Sequence, residues 1–170
     1  MRNQFVRPLV RSLLFAAIAG VVASPAMADP GLAERRAITA YEQGAYATLL
    51  KDIQTAAGFA VPVEVKWETI ALSDQADNYA QDDFWTNIFF VPLKQALATV
   101  AADDMGKQAV QAKLKKIVVH YDSATAPVSA YADGVSFKSG VLTLNFTPYT
   151  NAGDIEPRAK AIQKVLEAGL

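Results

Sequence analysis

The spacing of apolar residues along the chain predicts helices in four segments. Between residues 32 and 57 the apolar positions recur every three or four residues, as on one face of a helix: Ile38, Tyr41, Ala45, Leu49 and Ile53. Gly44 weakens the middle of this segment, which leaves open one helix or two in succession, and Gly58 is a typical C-terminal stop. The other helical segments are 84–102, with a break or a first turn at Pro92, 105–116, capped by Asp104, and 155–170, after a turn at 151–154.

Alternation of apolar and polar residues predicts the strands. Residues 61–67 alternate strictly, with three valines and Trp67 on one side and Glu64 and Lys66 on the other. Pro62 makes this an edge strand or stands at its start. Further strands are predicted at 117–121, 135–137 and 141–146, and the last two form a hairpin around Ser139 and Gly140.

The order of these elements predicts the fold class. The order is α, β, α, α, β, β, β, α, and the last three strands are close together in the sequence. We therefore expect a single α+β domain over residues 29–170, with an antiparallel sheet of about four strands covered by helices. A doubly wound parallel sheet is the alternative, although the predicted hairpin interrupts the helix-between-strands pattern that it needs.

The first 28 residues have the pattern of a secretory signal peptide. Three arginines precede the uncharged apolar run 13–23, a Ser-Pro pair follows it, and Ala26-Met27-Ala28 fits a signal peptidase site. The run is shorter than the about 20 residues that span a membrane. We expect Sec-type cleavage after Ala28, a periplasmic or secreted protein, and no membrane insertion afterwards. The alternative is an amphipathic or buried N-terminal helix.

Composition excludes several kinds of chemistry. The chain has no cysteine and one histidine, which excludes disulfides, CxxC motifs, c-type haem attachment and multi-histidine metal cages. Its 16 basic and 17 acidic residues do not favour nucleic-acid binding. Loss of the three N-terminal arginines changes the formal net charge from −1 to −4. We therefore expect no cofactor, and an unknown small molecule or envelope protein as partner.

His120 carries any histidine-based catalysis that this chain performs. It ends a predicted strand and is followed closely by Asp122, which could orient it or act as an acid. No GxSxG motif is present. The favoured interpretation is a histidine on the solvent face of the sheet, opposite the apolar residues of its strand. A small cell-envelope hydrolase or lyase that uses His120 remains the alternative.

Four aspartates occur within ten residues of irregular sequence. They are Asp74, Asp77, Asp82 and Asp83. Flexible acidic loops can bind calcium, but the spacing does not match a calcium-binding loop and no glycine provides its turn. Helix capping by Asp82 or Asp83 and a solvated loop explain the four carboxylates without a metal.

Aromatic residues are concentrated just after these aspartates. One helix face cannot bury the whole group, which comprises Tyr79, Phe84, Trp85, Phe89 and Phe90. Either they form a core buried on two sides, or some of them line a surface that binds a ligand or partner. We therefore expect a binding or protein-interaction domain without catalytic activity that uses an aromatic and acidic surface at residues 74–90, through Tyr79, Trp85, Phe89 and Phe90. A structural homodimer with this surface as its interface is a further alternative.

Overall fold

Two consecutive helices begin the part of the chain that the structure describes. The computed structural model describes residues 29–79, 81 and 83–170, so the predicted signal peptide lies outside it. Helix α1 covers Leu32–Gln43 and α2 covers Ala45–Ala57. Gly44 separates them with non-helical backbone, and Gly58 ends α2 in the left-handed conformation with a φ of 78°. The alternative with two helices is therefore confirmed.

Short helical segments connect the first strand to the central helices. Strand β1 (Val63–Val65) is followed by α3 (Trp67–Ile70), α4 (Ala76–Tyr79) and α5 (Asp83–Trp85). A π-helical turn at Thr86–Phe90 then leads into α6 (Val91–Val100). Pro92 lies in the first turn of α6, where its missing N–H costs little. The helix therefore does not end at Pro92.

Helix α7 begins and ends earlier than the pattern predicted. It covers Asp104–Lys113, and its cap is Asp103, whose Oδ1 accepts a hydrogen bond from the Gly106 N–H at 2.7 Å. The expected cap at Asp104 is therefore wrong by one residue. The helix ends before Lys116 because that residue already belongs to strand β2 (Lys116–His120).

The second half of the chain contains the predicted hairpin and the final helix. A 3₁₀ turn at Tyr131–Gly134 precedes β3 (Val135–Lys138), and β4 (Val141–Asn145) follows after two residues. Both turn residues have positive φ, 53° at Ser139 and 86° at Gly140, as a tight hairpin turn requires. Helix α8 covers Ile155–Gly169.

The four strands form one mixed sheet, so the expected antiparallel sheet is wrong. The strand order is β1-β2-β4-β3; β1 and β4 are both parallel to β2, and only β3 and β4 are antiparallel. The chain between β1 and β2 contains five helices, which is enough for a parallel crossover. The 14 residues between β2 and β3 place β3 two strand positions away from β2. Strand β4 then lies between β2 and β3.

The sheet has one apolar face and one polar face. Ile117 and Val119 of β2 and Leu142 and Leu144 of β4 are fully buried in the same core as α6 and α8. The side chains between them in sequence face the other way, and there Glu64 pairs with both Lys66 and Lys116. The fold is thus a mixture of helices and sheet, as expected. Among the described residues, no helix is both long and apolar enough to span a membrane.

Candidate functional site

The four aromatic residues expected to bind a partner are part of the core. Tyr79 and Trp85 are 2% and 1% exposed, and Phe89 and Phe90 are 0% exposed. The Tyr79 and Trp85 rings stack at 4.4 Å between centroids, and Phe89 stacks on Phe146 of the sheet side at 6.1 Å. The Trp85 Nε1–H donates to the Ile70 carbonyl at 3.1 Å. A partner could touch these rings only after the core opened.

Other elements pack against both sides of residues 85–90, which explains why their aromatic side chains are buried. Phe90 faces α1 and α2, where it lies 6.0 Å from the Tyr41 ring and 5.0 Å from the Tyr46 ring. Phe89 faces the sheet instead. The π-helical turn at Thr86–Phe90 adds a residue to the helical turn and so changes the direction of successive side chains.

The acidic residues before the aromatic segment remain at the surface. Asp74, Asp77 and Asp83 are exposed, whereas Asp82 lies outside the described residues. Asp74 has a φ of 63°, and its N–H donates to Oε1 of the buried Glu34 at 3.0 Å. Within residues 29–79, 81 and 83–170, no three histidine, aspartate or glutamate side chains are grouped so that they could hold a metal ion.

His120 lies on the polar face of the sheet, on the side opposite Ile117 and Val119, as the strand pattern predicted. It is half-buried, and this burial lowers its pKa below 6.5, although the negative charge of Asp122 acts in the opposite direction. The imidazole is therefore mostly neutral at pH 7.

Asp122 uses its carboxylate to fix the following loop. Its Oδ1 accepts the Ala124 N–H at 3.0 Å, and its Oδ2 accepts the Thr125 hydroxyl at 2.7 Å, and these bonds lower its pKa. Asn145 joins the same network, since its Oδ1 accepts the Asp122 N–H and its Nδ2 donates to Thr125. The described hydrogen bonds therefore engage Asp122 with the loop, and none of them joins it to His120.

A surface groove runs along α8, and we call it the α8 groove. Three hollows of about 310, 300 and 410 Å³ make it up. The first two share Ala132 and Lys164 in their walls, and the last two share Phe137 and Gly169, so the three adjoin one another along α8. One wall is α8 from Pro157 to Gly169; the other is the chain from the 3₁₀ turn through β3 to the hairpin.

The floor of the α8 groove is made of small and apolar side chains. Its members on α8 are Ala161, Val165, Ala168 and Gly169, and Phe137 of β3 faces them. Gly169 allows this close packing, because a Cβ at that position would lie 2.4 Å from Cδ1 of Phe137. The groove is therefore shallow at its centre, with room for short side chains.

The charge along the α8 groove is mainly positive. Its lining includes Lys113, Lys115, Lys160 and Lys164 but a single acidic residue, Asp133. Lys160 pairs with Glu156 at 2.7 Å in solvent, a contact that contributes little. Lys113 donates to the Gly169 carbonyl and to the backbone oxygen of Leu170, and it thereby joins the C-terminal ends of α7 and α8.

Strand β3 lies at an edge of the sheet beside this groove. In a two-residue hairpin the flanking residues, here Lys138 and Val141, form the first hydrogen-bonded pair, and the pairs alternate from there. Phe137 is therefore in a non-hydrogen-bonded pair with Leu142, and its N–H and C=O point away from β4. The Val135 N–H already donates to Ala132. The N–H and C=O of Phe137 and the C=O of Val135 are thus the outward-pointing backbone groups of this edge for which the described residues show no partner.

Comparison with known proteins gives no relative for this arrangement. No protein-family model matches the chain, and neither a curated protein nor a solved structure shows significant similarity to it. The described residues form a helix-rich structure with one mixed four-stranded sheet and lysine-lined hollows beside an edge strand.

Sequence reasoning did not find the α8 groove. One signal was present, because Ala161, Val165 and Ala168 form a second apolar stripe on α8 beside the core stripe, with Lys160 and Lys164 next to it. The opposite wall comes from residues 129–140, and nothing local in the sequence places them beside α8.

Proposed function

We propose that this protein is an exported binding or protein-interaction domain without catalytic activity, and that the α8 groove is its binding site. The observation that carries the proposal is a row of three adjoining hollows along α8, with apolar side chains in the middle one and lysines in all three, beside an edge strand. Concave surfaces with an apolar floor and a few polar groups are the usual form of a binding site. The partner is a small molecule or an envelope protein.

The proposed site differs from the surface expected at residues 74–90. The aromatic part of that surface is in the core, so it offers no contact area to a partner. The apolar contacts of the α8 groove come instead from Phe137, Val165 and Ala168. The arginine flank, apolar run and small-residue cleavage pattern of residues 1–28 support export.

A bulky residue in the groove tests this function. We expect ten-residue peptides selected on the purified protein from a random display library to lose affinity by tenfold or more in Ala168→Trp, as measured by fluorescence anisotropy. Ala168 is exposed in the groove, so the indole fills the central hollow without entering the core.

Ala47→Trp is the matched control, since Ala47 is exposed on α2 and does not line the groove. Circular dichroism establishes that both variants are folded. Peptides that bind Ala168→Trp as tightly as the unchanged protein would contradict the α8 groove as the binding site.

A further inference from the structure

We infer that the α8 groove takes an extended acidic peptide segment of a partner protein, which adds to the sheet as a fifth strand beside β3. The inference rests on the proposed function and names the ligand class of the same site. Addition of a strand to an open sheet edge is a common form of peptide recognition, in which backbone hydrogen bonds give affinity and pockets for alternate side chains give specificity.

The length of the groove fits an extended segment. Its wall on α8 runs from Pro157 to Gly169, which corresponds to about 18 Å along the helix axis. Five or six residues of a strand cover about the same distance. Along the opposite wall, residues 131, 137 and 139 follow in the same order as residues 157, 164 and 169 of α8, so β3 and α8 run in the same direction.

The backbone of β3 can pair with such a segment at Phe137. The N–H and C=O of Phe137 both point away from β4, and among the described residues no further strand pairs with β3. In an antiparallel arrangement, one residue of the incoming segment exchanges both hydrogen bonds with Phe137. An unpaired sheet edge tends to pair with other chains, and a segment bound beside β3 would cover this edge.

Side chains of an added strand alternate between the two faces of the sheet. Those on the α8 side lie over Phe137, Val165 and Ala168, where the shallow floor favours small or β-branched apolar residues. The middle hollow therefore predicts an apolar residue on this face at the centre of the segment.

The lysines that line the α8 groove predict acidic residues in the bound segment. Lys115 and Lys164 are exposed and make no ion pair in the described part of the chain, whereas the chain as a whole is slightly acidic. A positive groove on an acidic protein attracts an anionic segment and orients its approach. Lys164 lies at one end of the middle hollow and Lys115 beyond the other, so glutamate or aspartate is expected on the same face as the central apolar residue, two positions to either side of it.

The test uses a fluorescein-labelled six-residue peptide with one valine, a glutamate two positions before it and another two positions after it, and threonine elsewhere. We expect it to bind the purified protein by anisotropy, and a peptide with lysine in place of glutamate not to bind. An ester in place of the Ser136–Phe137 amide removes the Phe137 N–H and keeps the side chain, and should weaken binding about fivefold. The same ester before Gly153, in an exposed turn, is its control.

Lys164→Glu should weaken the same peptide by tenfold or more, and Lys51→Glu, on the exposed side of α2, should change its affinity less than twofold. Loss of affinity in Lys164→Glu with no effect of the ester would overturn strand addition but leave the α8 groove as a binding site. Equal binding of both peptides would overturn the acidic specificity.

Other occupants of the groove give different results. Binding of vesicles that contain anionic phospholipid, abolished by Lys164→Glu while the peptide fails to bind, would replace the peptide with a lipid surface. A dimer that the Phe137 ester dissociates would assign the edge to a second copy of this chain. Either result would overturn the inference.

Discussion

Arg158 places a guanidinium group inside the protein, where it is 1% exposed. Its Nη1 donates to the Asn151 carbonyl at 2.7 Å, and its Nη2 donates to the Thr150 carbonyl at 3.0 Å. The group also lies over the Tyr131 ring at 4.4 Å, and the Tyr131 hydroxyl donates to Asp154 at 2.7 Å. One side chain thus connects the loop before α8 to the 3₁₀ turn that forms the wall of the α8 groove.

Removal of this guanidinium should destabilise the fold. In Arg158→Leu the Thr150 and Asn151 carbonyls lose a charged donor and the Tyr131 ring loses its cation contact, and we expect the free energy of unfolding to fall by about 3 kcal/mol. Urea unfolding followed by circular dichroism measures the change. Lys160→Leu, at an exposed position on the same helix, should cost less than about 0.5 kcal/mol. Equal losses in the two variants would show that the buried contacts do not matter.

Whether the aromatic residues between positions 79 and 90 are core or surface could be inferred only in part from the sequence. Their identity and spacing indicated that one helix face cannot bury them all, and the alternative with burial on two sides was recognised. The choice between core and surface depends on α1 and α2, which contribute Tyr41 and Tyr46 to the far side of Phe90. Those contacts join residues about 45 positions apart, which no local pattern reveals.

At the scale of elements, a three-residue edge strand is attached by a cross-strand ion pair. Glu64 of β1 contacts Lys116 of β2 and also Lys66. Hydrogen bonds from Lys116 and then from Lys66 lower the pKa of Glu64 to about 2. The carboxylate therefore stays ionised in the folded protein over a pH range in which it would be protonated in the unfolded chain.

This shift predicts how stability depends on pH. A lowered folded-state pKa contributes stability that is complete above the unfolded value of 4.5 and is lost as pH falls toward about 2. We expect Glu64→Gln to lower the urea midpoint slightly at pH 7, and the difference from the unchanged protein to vanish by about pH 2. The effect should also shrink in high salt, because the pair is solvent-exposed.

Glu68→Gln is the control for this titration, since Glu68 is exposed on the neighbouring α3. A midpoint difference for Glu64→Gln that is the same at pH 7 and pH 2.5 would contradict the assigned ion pair.

Helices and the hairpin could be predicted because their signals are local. Gly44 and Gly58 mark the ends of α2, and the positive φ values of Ser139 and Gly140 suit the two-residue turn between β3 and β4. The order of the strands is not a local property. A meander would have placed β3 beside β2, but β4 takes the central position and its Leu142 and Leu144 are fully buried.

Export of the whole protein stays a prediction, because the described residues do not include the predicted signal peptide. If the signal peptide is cleaved after Ala28, the protein isolated from the periplasm of a bacterium that expresses it should begin at Asp29, because the small-residue site precedes that residue. N-terminal sequencing and intact mass measure this. A chain that begins at Met1 in the cytoplasmic fraction would contradict export.

Although they did not predict the short helices α3 and α4, residue types and local spacing predicted α1, α2, α6, α7, α8, the hairpin and the mixture of helix and sheet, and they excluded cysteine chemistry. Each depends on residue type or on spacing within one element, so it does not require knowledge of distant contacts. The tertiary structure alone decided that the sheet is mixed, that Trp85 and Phe90 are core, and that β3 and α8 form the walls of a groove. These features arise where segments far apart in the chain pack together, and packing depends on all of them at once.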